Sequence, residues 1–211
     1  MSILEHIHGH NDLLCLTEAQ RQQMNDYCQR YSAFMDACKT EREATTWAVE
    51  IAEKHGFKAI VPGMKLQPGD KVYKNNRGKS IMLAVIGSAS LNEGANICAA
   101  HVDSPRMDVK PNPLYEDADL GYFKTHHYGG VRKYQWVTVP LALHGVVIKA
   151  DGESVNVCVG EDDADPIFYI NDLLPHLGQE MGKKPLAEAI PGEKLNVLVG
   201  SRPYTGAEKN G

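Results

Sequence analysis

A chain of 211 residues, 43% hydrophobic and 23% charged, has the make-up of a soluble globular protein with one large or two small domains. Its formal net charge of -5 and sequence pI of about 6.0 argue against nucleic acid or an anionic membrane as a partner held through net charge. No apolar run reaches the roughly 18 residues of a membrane span, and the opening stretch, with Glu5, His6, His8, His10 and Asp12, is not the basic-then-apolar pattern of a secretory leader.

Residues 17–38 are predicted to form a helix. Thr17 and Gln20 make a capping-box pair at its start. Met24, Tyr27, Tyr31, Phe34 and Met35 then recur at three- and four-residue steps and share one face. Thr40 with Glu43 repeats the signal for a second helix running to about His55, with Ala44, Trp47, Ala48, Ile51 and Ala52 on its inward stripe. Gly56 stands where a left-handed helix stop is expected. A short apolar strand, 57–61, ends at Pro62-Gly63. Residues 70–87 read as a hairpin turning at Asn75-Asn76-Arg77-Gly78, with 81–86 continuously apolar. A polar loop, 88–95, leads to 97–102, an apolar run of the kind found in strands buried on both faces. Two helices and then packed strands predict an α/β layer.

Near Asn112-Pro113 the character changes to strands and turns. Runs 137–143, 145–150 and 154–160 are β-rich, separated by His144-Gly145 and by Asp151-Gly152, the latter a strong hairpin-turn signal. Residues 171–181 are predicted as one short helix and 195–199 as a last strand, and 206–211 form a polar tail. The expected organisation is an α/β part over 1–112 and a β-rich part over 113–211. The five cysteines, Cys15, Cys28, Cys38, Cys98 and Cys158, are odd in number and form no CxxC pair. They read as free buried thiols of a reducing compartment, which makes the cytoplasm the expected location.

The sharpest chemical signal is His101-Val102-Asp103-Ser104-Pro105. His101 ends an apolar run, and ligands of α/β sheets collect at that end of the strands. Residues two apart on a strand share a face, so His101 and Asp103 can address one site. A neutral imidazole ligates zinc through one nitrogen, and a carboxylate on the other fixes the tautomer. Pro105 stops the strand and places the pair at a rim. Taken alone, a histidine at a strand end is more often a satisfied surface or core residue than a metal ligand.

The wider segment, His101-Val-Asp-Ser-Pro-Arg-Met-Asp-Val-Lys-Pro-Asn-Pro-Leu-Tyr-Glu116, resembles the signature of the M18 family of metallo-aminopeptidases, and so does Tyr128-Gly-Gly-Val-Arg-Lys-Tyr-Gln-Trp136. The resemblance extends over nearly the whole chain. It implies part of a zinc-peptidase-type α/β catalytic domain interrupted by a β-rich inserted dimerisation domain, and assembly into dimers and dodecamers. His101 matches a metal-ligating histidine and Asp103 the aspartate that orients it. His176, in the β-rich part, is the candidate for the histidine that completes a neighbouring subunit's site; a helix-start surface histidine is the other reading. The family's metal-bridging aspartate, its Glu-Glu pair of general base and ligand, a further carboxylate and a late histidine match nothing here. The family's chains run about twice as long, so these are expected beyond residue 211, in a missing C-terminal half.

Other candidates have plainer readings. His6, His8 and His10 alternate and could gather a transition metal, though a solvated terminus is the simpler account. His126-His127 precede Gly129-Gly130 and suit a loop contact with substrate or a second subunit, or a tight turn. Glu161-Asp162-Asp163-Ala164-Asp165 lacks the spacing of a calcium loop. Cys98 and Cys158 lie in apolar runs and are expected to be buried and inert. Ser104 has no G-x-S-x-G elbow, and no GxGxxG or P-loop is present. A serine or cysteine hydrolase is therefore disfavoured. The leading expectation is a metal-dependent aminopeptidase acting on peptides, with two Zn2+ ions in the family and Co2+ or Mn2+ compatible with the donor types. As an isolated piece the chain is expected to be inactive. The rival is a non-catalytic assembly or regulatory fragment that keeps the dimerisation domain.

Overall fold

The computed structural model describes residues 12–202. His6, His8, His10 and the tail 206–211 lie outside them. The chain divides into two compact units, Met1–Val102 and Asp103–Gly211. Both mix helix with sheet or are largely sheet, giving a mixed α/β protein.

In the first unit, helix α1 (Glu18–Ala37) starts at the Thr17–Gln20 capping box and α2 (Glu41–Lys54) at the Thr40–Glu43 box, both fully formed. Each box satisfies helix-end N–H groups that have no partner within the helix. Gly56, at φ +84°, ends α2 in the left-handed region, where a Cβ would be strained. The apolar stripe of α1 is a ladder of rings. Tyr27 stacks on Tyr31 at 6.5 Å, Tyr31 meets Phe34 at 6.4 Å, and Phe34 meets Trp47 of α2 edge-on at 6.2 Å. Tyr27, Tyr31 and Met35 nevertheless stay exposed.

Strand β1 (Lys58–Ala59) pairs in parallel with β2 (Lys71–Asn76), which pairs antiparallel with β3 (Ser80–Val85). The three-residue β2–β3 loop puts Arg77 and Gly78 at positive φ, and Lys79 N–H closes it on the Asn76 carbonyl at 3.1 Å. Helix α2 packs on this sheet. Ala44, Thr45 and Ala52 of α2 and Val72 and Tyr73 of β2 are buried. The Tyr73 hydroxyl donates to Glu53 Oε1 at 2.7 Å, and that bond holds the phenol above its usual pKa range.

One expectation for this unit needs correction. The run 97–102 forms no strand, and Ile97 and Val102 are exposed. A doubly buried strand needs hydrogen-bonding neighbours, and no described strand pairs with this run. Strand β3 is also exposed at Met82, Leu83 and Val85.

The second unit is built on two long strands, β4 (Arg106–Asp117) and β5 (Leu120–Tyr128), joined at Ala118-Asp119, both with positive φ. The register shifts between Val109 and Leu114. Pro111 and Pro113 lie in that irregular stretch, where the missing N–H of proline breaks no ladder bond. Strands β6 (Leu143–Ile148) and β7 (Ser154–Val159) form a separate hairpin closed at Asp151-Gly152. Strand β8 (Tyr169–Ile170) and β9 (Val197–Gly200) complete a sheet of order β4-β5-β9-β8.

His144-Gly145, expected as a separator, lies inside β6, because both residues are paired, with Cys158 and Val157. The helix expected over 171–181 shrinks to α3 (Gln179–Gly182), with α4 (Leu186–Ala189) following. Pro175 disfavours helical geometry at Leu174, and the chain makes a single turn there, with Leu177 and Gly178 both donating to Leu174 O at 2.9 Å. Ile170, Ile190 and Leu195 form the buried centre, surrounded by Met107, Tyr134, Trp136, Val137, Leu141, Met181 and Val197. Thr125, also buried, donates its hydroxyl to the Leu195 carbonyl. Among the described residues no helix is long and apolar enough to cross a membrane.

Candidate functional site

The two sequence motifs meet through the β4–β5 ladder, which sets Arg106 opposite Tyr128, Met107 opposite His127 and Asp108 opposite His126. The Tyr128 hydroxyl donates to Asp103 Oδ2 at 2.7 Å. The Arg106 guanidinium lies 4.3 Å from the Tyr128 ring centroid, and its Nε donates to Asp108 Oδ1 at 2.7 Å. Arg106 thus holds the tyrosine ring from its face, a cation–π contact, while the ring's far end holds Asp103. Gly129, at φ +78°, brings the backbone onto Pro105. A Cβ there would lie 3.4 Å from Pro105 Cα. That distance is an ordinary contact, and it is the positive φ that favours glycine here.

Asp103 therefore sits half-buried in a framework of Tyr128, Arg106 and the Pro105–Gly129 contact. Charge-assisted hydrogen bonds to a carboxylate are stronger than neutral ones. Tyr128→Phe keeps the ring under Arg106 and removes only the hydroxyl. It is expected to lower the second unit's stability by about 1 kcal/mol, less than the roughly 1.5–3 kcal/mol of hydrogen bonds to charged groups, because the bond is open to solvent. Urea unfolding checks this, and an unchanged midpoint would mean that the bond carries no net stability.

His101 is exposed and belongs to the first unit, whereas Asp103 opens the second. His176 is exposed at the centre of the Pro175–Leu177 turn. His126 and His127 belong to strand β5 and not to a loop, and their rings stack at 5.5 Å. His127 packs on Gly192, where a Cβ would meet its Cε1 at 3.0 Å. Lys110 Nζ lies 2.8 Å from Glu193 Oε2 and holds that carboxyl below its usual range, with His126 and His127 adding to the effect. In the acidic run, Asp165 Oδ2 accepts from Gly160 N–H at 2.7 Å and Glu161 binds His144, so these two carboxylates serve the turn and its hairpin. Cys15, Cys28, Cys98 and Cys158 are exposed, contrary to expectation; 97–102 has no strand neighbours among the described residues, and β6–β7 is a two-stranded hairpin.

Among the described residues no group of three or more histidine, cysteine, aspartate or glutamate side chains could hold a metal ion. A zinc centre takes about three protein ligands besides an open position. The residues here fit one part of such a donor set and not the whole. Sequence reading missed the roles of Tyr128 and Arg106. Their tie to Asp103 depends on the strand register, which the proline-broken run around residues 111–113 hides. The only signal was the start of the second motif at Tyr128 itself.

A family model described as aminopeptidase I zinc metalloprotease (M18) matches residues 34–209. The chain is 52% identical over 184 residues to a probable M18 family aminopeptidase 1 of Clostridium acetobutylicum, covering 85% of this chain and 40% of that protein. The crystal structure of an M18 aminopeptidase from Thermotoga maritima superposes with a TM-score of 0.81 at 39% identity, covering 89% of this chain and 41% of that one. That of aminopeptidase I from Borrelia burgdorferi gives 0.81 at 36% identity, over 95% and 45%. The chain thus spans under half the length of these relatives.

Proposed function

We propose, from the premise that this chain belongs to the M18 family of zinc metallo-aminopeptidases, that it carries one part of the machinery for removing N-terminal residues from peptides. In this reading His101 is a zinc ligand and Asp103 orients its imidazole. The observation that carries it is the anchoring of Asp103 by Tyr128 at 2.7 Å, directly after the histidine of the motif. A carboxylate held in this way can fix the ring and tautomer of a ligating histidine without moving when a ligand arrives. A bound zinc centre supplies Lewis acidity toward the peptide carbonyl and a more acidic water. The remaining ligands and the general base belong, on this reading, to the length of the family's chains that this one does not span, and two metal ions form the complete site.

The β-rich region from 113 to 211 is read as the dimerisation module, and the assembled form as a dimer or dodecamer. His176, on an exposed turn, is read as the histidine that completes a neighbouring subunit's site. The site of action is read as the cytoplasm. One observation favours the second reading, a non-catalytic assembly fragment: the described residues gather no three ligating side chains.

The test is release of an amino acid from a short peptide in the presence of zinc. The 211-residue chain alone is expected to release none above background. The same chain, substituted for the matching segment of the clostridial relative, is expected to give release that chelation abolishes and zinc restores. A folded but inert chimaera would overturn the peptidase reading and leave the assembly reading. Equal turnover by the isolated chain would refute its incompleteness.

A further inference from the structure

We propose that Cys158 is a thiol-modification site, reactive toward low-molecular-weight disulfides, with His144 as its base and Glu161 as the group that positions His144. No part of the peptidase reading uses these residues. They stand together on one hairpin. His144 of β6 pairs directly with Cys158 of β7. Residues opposite one another in an antiparallel pair share a face, with Cβ atoms about 4.5–5.5 Å apart. Glu161, three residues past Cys158, lies 2.7 Å from His144 Nε2 through its Oε1. The His144 side chain is only 10% exposed, so its ring is held, while Cys158 is open to solvent.

A thiol, an imidazole opposite it on the paired strand and a carboxylate on that imidazole's Nε2 are the nucleophile, base and orienter types of activated thiols. Glu161 fixes the ring and stabilises the imidazolium that forms when His144 takes the thiol proton. Exposure alone does not single out Cys158, since Cys15, Cys28 and Cys98 are exposed too. The neighbours of Cys28 one helical turn away are Met24, Asn25, Tyr31 and Ser32, none of them a base. Cys38 is half-buried, and burial, with Glu43 and Glu50 nearby, pushes its thiol up in pKa, away from the reactive thiolate.

The step balances without a further reactant. The Cys158 thiol proton passes to His144. The thiolate attacks one sulfur of the small disulfide, the old S–S bond breaks as the new one forms, and the departing thiolate takes up a proton. The product is a mixed disulfide on Cys158 and one small thiol.

Oxidised glutathione at neutral pH is the probe, with peptide mapping to read each cysteine separately. In the folded chain Cys158 is expected to be modified about tenfold faster than Cys28 and Cys98. In denaturing guanidinium the five thiols should react alike. His144→Gln is expected to bring Cys158 within about twofold of Cys28, and Glu161→Gln, which keeps the side chain's size and a hydrogen-bonding oxygen, to slow it about threefold. Native Cys158 reacting no faster than Cys28 would overturn the proposal. So would an unchanged rate in both variants, which would reduce the effect to accessibility. Peptidase activity enters none of these measurements, so the outcome is independent of the catalytic reading.

Discussion

His101→Ala, made in the chimaera that carries this chain in place of the matching segment of the clostridial relative, is expected to lower zinc-dependent peptide cleavage by about a thousandfold or more, some 4 kcal/mol of transition-state stabilisation. The reason is the division of labour at a catalytic metal. An alanine offers no lone pair, and a centre with about three protein ligands that loses one loses both its affinity for the ion and its geometry. Asp103→Asn should cost less, about 10–100-fold, because it keeps the volume and the contact with the Tyr128 hydroxyl while removing the charge that raises the imidazole's basicity. The ordering is the informative part. Measured kcat/KM and bound zinc should fall together for His101→Ala, and far less for Asp103→Asn. If His101→Ala kept its zinc and most of its turnover, His101 would be an ordinary exposed histidine and not a ligand.

Leu195→Ala is expected to destabilise the second unit by about 2–5 kcal/mol, seen as a lower midpoint in urea or guanidinium unfolding. Leu195 is 0% exposed and shares the centre of that unit with Ile170 at 1% and Ile190 at 9%. Its truncation removes three buried carbons and leaves a cavity that the surrounding strands cannot close without breaking their own ladders. Its carbonyl also accepts the Thr125 hydroxyl, so any backbone shift that filled the cavity would disturb a buried hydrogen bond between β5 and the chain entering β9. The large end of the range is therefore expected. A loss below about 1 kcal/mol would mean that this small core is loosely packed. Leu186→Ala, at a leucine 62% exposed, is the matched control and should change little.

Both helices of the first unit and the β2–β3 hairpin were legible in the residues alone. The capping boxes at Thr17 and Thr40, the stop at Gly56 and the turn at Arg77-Gly78 are short-range devices. Each acts within four residues and needs no distant partner. The strands were harder. β4 and β5 form the longest ladder of the second unit, yet Pro111 and Pro113 break the alternation that would announce β4, and the register shift that accommodates them is visible only once β5 lies alongside. The run 97–102 shows the converse. Its composition is that of a strand, but composition supplies no neighbouring ladder, and among the described residues none is present. Glycine in His144-Gly145 reads as a turn, whereas pairing with β7 keeps it extended.

The same division holds for the candidate site. The residue types and spacing of His101-Val102-Asp103, with the second motif at Tyr128, were enough to point to the family, because ligand chemistry restricts which side chains can stand there. What holds Asp103 came from folding. A hydroxyl twenty-five residues away, a guanidinium on its ring and a glycine pressed on a proline meet only when two strands pair in one register. Local sequence thus determined caps, tight turns and donor types, whose energies arise between near neighbours. Register, burial and the company each side chain keeps were decided by the tertiary structure, since those energies arise between segments that sequence order does not bring together.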